Sequence, residues 1–515
     1  MTRRGQVAAS VLVLWAAGLV LLARRELFRP RSAIMAEAAL RVVPGASFYA
    51  VTQGDRQIGF ASSTVDTAPQ QITLTDYMVA DLPVGGSVHR ATARSSVVMT
   101  RGMRARSFSF SLDSDGGLVR ASGTIDGDSV ITVAIGADSA RPDTQRIHID
   151  GPVFLPTLLP LALTLGERPR VGRSSDFPTF DPATMTTHTL SVAVRAESLF
   201  VLHDSATFDS VAQRWVPLLP DTVRAWQMVP DGASSFFTGW VDDEGRIVAG
   251  TARQLGGIAL RREPYELAFD NWRLSEEHNP QLVPADRDIL ETTAIAAGKA
   301  LRGSRLDRLV VRLTDADLSG FDLAGGRQRL SGDTLTVTRE DSSALHAAWR
   351  IPADRHRFAT ELAAEPLVQV GNPRIAFLAM RIAGSDRDPR VLAGKLEQWV
   401  HDSIRNVTTF GIPSALQVLD SRRGDCNEHT QLYLALARTL GIPTRAAAGL
   451  AYVDGKFYYH AWPEVWLNGW VAVDPTFGQF PADAGHLRFV VGGLGRQAEL
   501  LRLIGNLKID VLASR

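Results

Sequence analysis

Gly424-Asp425-Cys426-Asn427-Glu428-His429-Thr430 runs on through Gln431-Leu432-Tyr433-Leu434-Ala435-Leu436-Ala437-Arg438-Thr439-Leu440 to Gly441-Ile442-Pro443. The middle of this stretch is rich in good helix formers. It stops where glycine stands at the helix end and proline just beyond. Asp425 is a natural N-cap, and Glu428 three residues later completes the pattern of a capping box. Cys426 is therefore expected in the first turn of a mostly apolar helix. Exposed backbone N–H groups and the positive end of the helix dipole favour a thiolate there. An ordinary thiol is only about 3% ionised at pH 7, so efficient attack also needs a histidine partner.

Downstream, Thr444 to Tyr452 reads as a strand and Asp454-Gly455 as a hairpin turn. The return strand is Phe457-Tyr458-Tyr459-His460-Ala461-Trp462-Pro463-Glu464-Val465-Trp466, and Asn468-Gly469 then turns into Trp470-Val471-Ala472-Val473-Asp474-Pro475. A nucleophile at a helix start, a base on one strand and an orienting carboxylate on the next form a workable triad, here Cys426, His460 and Asp474. Register tests the pairing. A two-residue turn would set Pro463 opposite Asp474 and send His460 and Asp474 to opposite faces. A three-residue loop, Leu467 to Gly469 with Gly469 at positive φ, sets Trp462 opposite Asp474 and lets the two side chains meet. That loop, or an equivalent bulge near Pro463, is the expectation. Among the neighbours, Glu428 is expected to cap the helix and His429 to be a neighbour rather than the base. Trp462, Trp466 and Trp470 are expected to pack the sheet, and Gln479 to make a loop hydrogen bond.

Four motifs follow in order: Gly424-Asp425-Cys426, Leu440-Gly441-Ile442-Pro443-Thr444-Arg445, His460-Ala461-Trp462 and Val473-Asp474-Pro475-Thr476. Together they resemble the transglutaminase-like superfamily, and more narrowly its bacterial branch, over about Pro389 to Gly492. The resemblance implies a papain-like fold, with the cysteine helix on an antiparallel sheet, and the roles of nucleophile, base and orienter for Cys426, His460 and Asp474. The activity it implies is acyl transfer on amide or peptide bonds. Hydrolysis, by a peptidase or deamidase, is favoured over cross-linking because water needs no dedicated amine site. The Cys426 N–H is the expected oxyanion donor. The alternative is a non-catalytic binding or assembly protein that uses the same fold as a scaffold. No cofactor is expected, and no calcium-loop motif of the EF-hand type is visible.

The rest of the 515-residue chain sets the context, and its length suggests roughly three domains. Lys+Arg and Asp+Glu balance at 55 each, so no basic surplus points to nucleic acid. Cys426 is the single cysteine, which excludes an intramolecular disulfide. The apolar run Val7 to Ala23, about 17 residues between arginines, reads as an uncleaved signal anchor at the short end of a bilayer span. It would place the bulk of the chain outside the cytoplasm, in the periplasm. From about Ser47 to Asp270 strand-like segments alternate with Gly/Asp turns, which argues for an antiparallel sheet or partial barrel. Pro152 to Leu165 would lie against it as helix or loop, and His89, His148, His188 and His203 show no metal-ligand spacing. Ala285 to Leu301 is a helical candidate, Asp307 to Leu313 a strand, and Val391 to Ile404 an amphipathic helix. The expected fold class is α+β: a transmembrane helix within 1–30, a β-rich extracytoplasmic domain at 45–275, a small β-rich connecting region at 281–385 and a transglutaminase-like catalytic domain at 386–515. The expected partners are a protein or peptide substrate and, through the N-terminal helix, the membrane.

Overall fold

Strand alternation organises the first half of the chain in the computed structural model. The structure describes residues 42–515 apart from 138–142, 166–167, 183–184, 231–237, 253–256, 277–287, 299–300, 302–304, 366 and 410. Gln71–Val84 and Ser87–Thr100 pair antiparallel through all fourteen of their positions. Their inward residues include Ile72, Leu74, Val97 and Met99, all buried. Twelve more strands between Gly45 and Glu263 join this pair in one 14-stranded antiparallel sheet. Its outermost strands are Asp143–His148 and Ser174–Asp181. The chain leaving the first of them reaches the second, where Phe154 N–H donates to Pro178 O (2.7 Å) and Phe180 N–H to Phe154 O (2.9 Å). One apolar core draws on both ends of the sheet, from Ile131 and Val133 to Phe177 and Phe180, and includes Leu159 and Leu161 of the short helix Leu159–Thr164. The sheet therefore curls around that helix.

The second half is built around the helix Cys426–Thr439, against which the helices Pro373–Ala383, Pro389–Ser403 and Ala415–Ser421 pack. Leu392, Leu396 and Val400 meet Leu432, Tyr433 and Leu436 in its core. Val391, the first residue of the expected amphipathic helix, is exposed, while Leu392 and Ala393 are buried. On its other side the helix packs on a sheet ordered Ile295–Ala296, Lys456–Trp466, Thr444–Val453, His486–Val491, with Trp470–Ala472 paired beside Lys456–Trp466. A four-stranded sheet brings Arg308–Thr314 and Thr334–Thr338 together with the C-terminal strand Lys508–Ser514. The stretch read as a connector thus pairs with the end of the chain.

Two expectations need correction. The N-terminal transmembrane helix of the expected α+β fold class is not supported. Strands dominate the molecule, and among the described residues no helix is long and apolar enough to cross a membrane. The segment Val7 to Ala23 lies outside the described residues. That expectation rests on a run length at the short limit of a bilayer span, on the flanking arginines and on the lack of a cleavage site directly after the run. The long helix at Ala285 to Leu301 is also absent from the described part of that stretch. Asp288 caps a helix of only Ile289–Thr293, and Ile295–Ala296 then pair with Phe457 and Lys456 at the sheet edge. The β-branched Thr292, Thr293 and Ile295 favour leaving the helix where a strand edge is on offer.

The two halves meet at turns of the large sheet. Asp288 accepts hydrogen bonds from the N–H groups of Gly85 and Gly86. A Cβ placed on Gly85 would lie 2.4 Å from Thr408 Oγ1, and Gly116 abuts Gly411. His89, at the base of the first turn, is buried and hydrogen-bonded to Asp115 and to Ser87 Oγ (2.7 Å).

Candidate active site

The start of the Cys426 helix is held by a reciprocal cap. Asp425 Oδ1 accepts from Asn427 N–H (3.0 Å), while Glu428 Oε2 accepts from Asp425 N–H (3.0 Å). Thr409 Oγ1 donates to Glu428 Oε1 (2.7 Å), so the preceding loop is tied to the same cap. Glu428 lies so close to the backbone that a Cβ at Gly424 would be 2.2 Å from it, which explains the glycine of Gly-Asp-Cys. Cys426 is partly exposed, and its sulfur accepts the backbone N–H of Ala461, the residue after His460. Burial of the sulfur and the neighbouring Asp425 carboxylate push the thiol well up. The helix dipole does not decide the resting state: desolvation and the two capping acids outweigh it, and the thiol rests protonated.

The strand pairing answers the register question. Glu464 faces Ala472, Val465 faces Val471 and Trp466 faces Trp470. The loop is Leu467 to Gly469, closed by Leu467 N–H donating to Gly469 O (3.0 Å). Gly469 does not take a positive φ, contrary to the expectation. Val473 N–H donates to Pro463 O (2.9 Å), so the register continues and sets Trp462 opposite Asp474. His460 and Asp474 then share a face, and His460 Nε2 lies 2.7 Å from Asp474 Oδ2. The other carboxylate oxygen accepts from the N–H groups of Thr476 (2.7 Å) and Phe477 (3.1 Å). The His460 ring stacks on Phe477, with centroids 4.7 Å apart and planes 8° apart, and lies 6.0 Å from Trp462. Its Nδ1 is the nitrogen that Asp474 leaves unengaged.

The neighbours sort by their partners. His429 is buried with Nδ1 on Asp425 O (2.6 Å), so it does not compete as the base. Gln479 Oε1 accepts from Asp483 N–H (2.8 Å), the expected loop bond. Trp466 packs edge-on against Trp470, and Arg445 lies over the Trp470 ring. Trp462 is fully buried.

One residue went unread in the sequence. His486, on the strand next to Thr444–Val453, places Nε2 at 2.8 Å from the same Asp474 Oδ2 that His460 uses. Its Nδ1 lies 3.1 Å from Asp483 Oδ1. The close approach of this strand is possible because Gly449 carries no side chain: a Cβ there would be 2.0 Å from Leu487 O. Burial works against charge at both Asp474 and His486, yet the hydrogen-bonded ion pairs prevail. The two imidazoles hold the Asp474 carboxyl well below the usual range, and Asp474 with Asp483 raises His486 to about 9. His460, Asp474 and His486 have donor atoms within 4.8 Å of one another, the composition of a metal site, although these atoms face one another along the two hydrogen bonds. The only local trace of His486 in the sequence is the Asp483-x-x-His486 spacing.

Residues 376–475 match the family model described as the transglutaminase-like superfamily core. The chain carries a transglutaminase-like core. Cys426, His460 and Asp474 fall inside the matched segment, and His486 lies beyond it. The chain is also similar to two known proteins. An uncharacterized protein of Mycobacterium leprae is 31% identical over 117 residues, 20% of this chain and 41% of that protein. The protein-glutamine gamma-glutamyltransferase of Pseudomonas aeruginosa is 30% identical over 130 residues, 22% of this chain and 19% of that protein. This chain therefore spans less than half the length of the first relative and about a fifth of the second. Among solved structures, the periplasmic domain of TgpA from Pseudomonas aeruginosa, bound to ethylmercury, is 20% identical with a TM-score of 0.24, covering 37% of this chain and 84% of that one.

Proposed function

We propose that this protein is a thiol acyl-transfer enzyme that acts on amide or peptide bonds of a protein or peptide substrate through Cys426, His460 and Asp474, with water as the favoured acceptor. The observation that carries the reading is the His460–Asp474 hydrogen bond beside a helix-start thiol that contacts the backbone of the residue after His460. Nδ1 of His460 takes the thiol proton as Sγ attacks the carbonyl carbon. The N–H of Cys426 faces the developing oxyanion. Asp474 holds the ring by Nε2 and stabilises its positive form. Collapse of the intermediate expels the amine, which leaves with the proton from His460, and a thioester remains. Water, deprotonated by the same ring, releases the acid and restores the thiol.

Because Cys426 is the only cysteine, iodoacetamide reports on it alone. Alkylation at pH 7 is expected to slow at least tenfold in His460→Ala, following the usual size of general-base assistance. Equal rates in the two proteins would leave the scaffold reading in place. Incubating the full chain with casein and a fluorescent primary amine then separates the outcomes. New N-termini or released ammonia without incorporation of the amine, absent in Cys426→Ala, mark hydrolysis, whereas incorporation of the amine marks cross-linking.

A further inference from the structure

The chain of hydrogen bonds does not end at Asp474. It continues through His486 to Asp483, and all its members are enclosed or nearly so: His460 is 8% exposed, Asp474 0% and His486 2%. Both nitrogens of His486 face carboxylate oxygens, so both are donors, and a ring with two donors is an imidazolium. Asp474 Oδ1 is already filled by two backbone N–H groups, and its Oδ2 receives the two rings. A buried carboxylate needs a counter-charge, and two rings compete to supply it here.

We propose that His486 is a positioning residue of the acyl-transfer site: a standing cation between Asp474 and Asp483 that neutralises Asp474, so that His460 begins each cycle as the neutral base. The proposal rests on the functional reading above. At rest Asp483 and Asp474 are negative, His486 is positive, and His460 and Cys426 are neutral, so the chain carries one net negative charge, which the proton transfer leaves unchanged. As the thiol proton moves to Nδ1 of His460, the second positive charge appears only when the sulfur becomes nucleophilic. The raised proton affinity of His486 agrees with this assignment. The other ionisable groups around the chain are Asp425, Glu428 and His429 on the Cys426 helix, and Glu397 and His401 on Pro389–Ser403. Of these, Asp425 and Glu428 face Cys426, while Glu397 and His429 feel the charge of Asp474.

His486→Gln tests the idea, because the glutamine amide can still donate to Asp474 but carries no charge. The centroids of the two rings are 5.6 Å apart. Removing a unit charge at that range shifts a neighbouring proton equilibrium by about one pH unit or more. The shift favours the thiolate–imidazolium pair over the thiol–imidazole pair. His486→Gln is therefore expected to alkylate with iodoacetamide about tenfold faster than the native chain at pH 6. A merely structural role would leave the rate unchanged or lower it. An unchanged or slower rate in a folded variant overturns the proposal. Nitrogen-15 spectra of the histidine rings in the Cys426→Ala chain give a second reading that needs no activity. Two protonated nitrogens on His486 at pH 7.5 support the proposal, and a neutral ring overturns it. If the native thiol shows no dependence on His460, the functional reading fails on its own, while the spectra still decide the charge of His486.

Discussion

Asp474 shares one oxygen between two imidazoles, and this sharing sets a pH range for stability. His486 is raised from 6.5 to about 9, so its folded-state contribution is complete below about 6.5 and is lost as pH climbs through 9. Asp474 and Asp483 are both lowered, so their contributions are present above the ordinary value of 3.8 and are lost as pH falls beneath it. The melting temperature of the native chain is accordingly expected to decline between pH 7 and 10 more steeply than that of His486→Gln. Parallel curves in calorimetry would show that His486 carries no such linkage. At this scale the grouping of Cys426, His460 and Asp474 was legible in the sequence, because each sits in a local motif. His486 was illegible because its role arises from register between strands far apart in sequence. The burial that raises the Cys426 thiol was illegible for a related reason: the helix dipole is visible in a single segment, whereas the burial that opposes it comes from the whole fold.

At the scale of elements, the cap of the Cys426 helix and the hairpin that carries His460 and Asp474 fix the geometry. Both were legible, since a capping box needs only a three-residue spacing and loop length follows from which side chains must share a face. The conformation of Gly469 was not, because a three-residue loop can close without a left-handed glycine. The cap makes Gly424 a sensitive position. Gly424→Ala pushes a methyl group into Glu428, at 2.2 Å, and displaces the carboxylate from Asp425 N–H and Thr409. The expected cost is about 1–2 kcal/mol in urea unfolding, the usual range for a lost N-cap, with slower alkylation of Cys426. Thr409→Val, which removes only the hydroxyl bond, should cost less.

At the scale of the molecule, the large sheet reaches the thiol through the loop that holds the cap. Thr408 sits under Gly85, Thr409 bonds Glu428, and Gly411 abuts Gly116. Gly85 and Gly86 both have positive φ (59° and 78°), but a Cβ on Gly86 meets nothing within 4 Å, whereas one on Gly85 meets Thr408. Alanine at either position carries similar backbone strain, about 1 kcal/mol. Gly85→Ala alone is expected to slow Cys426 alkylation several-fold, and equal rates in the two variants would show that the contact does not reach the site. The β-rich half was readable as strands and turns. The order in which the strands pair was not, because pairing order among fourteen strands is not written in any one of them. A last consequence follows from the burial that raises the Cys426 thiol. Peroxide oxidises thiolates far faster than thiols, and a sulfenic acid formed here has no second cysteine in the chain with which to make a protective disulfide. The burial that keeps Cys426 from resting as a thiolate also slows that first oxidation, and reversal of any that occurs has to come from a thiol outside the chain.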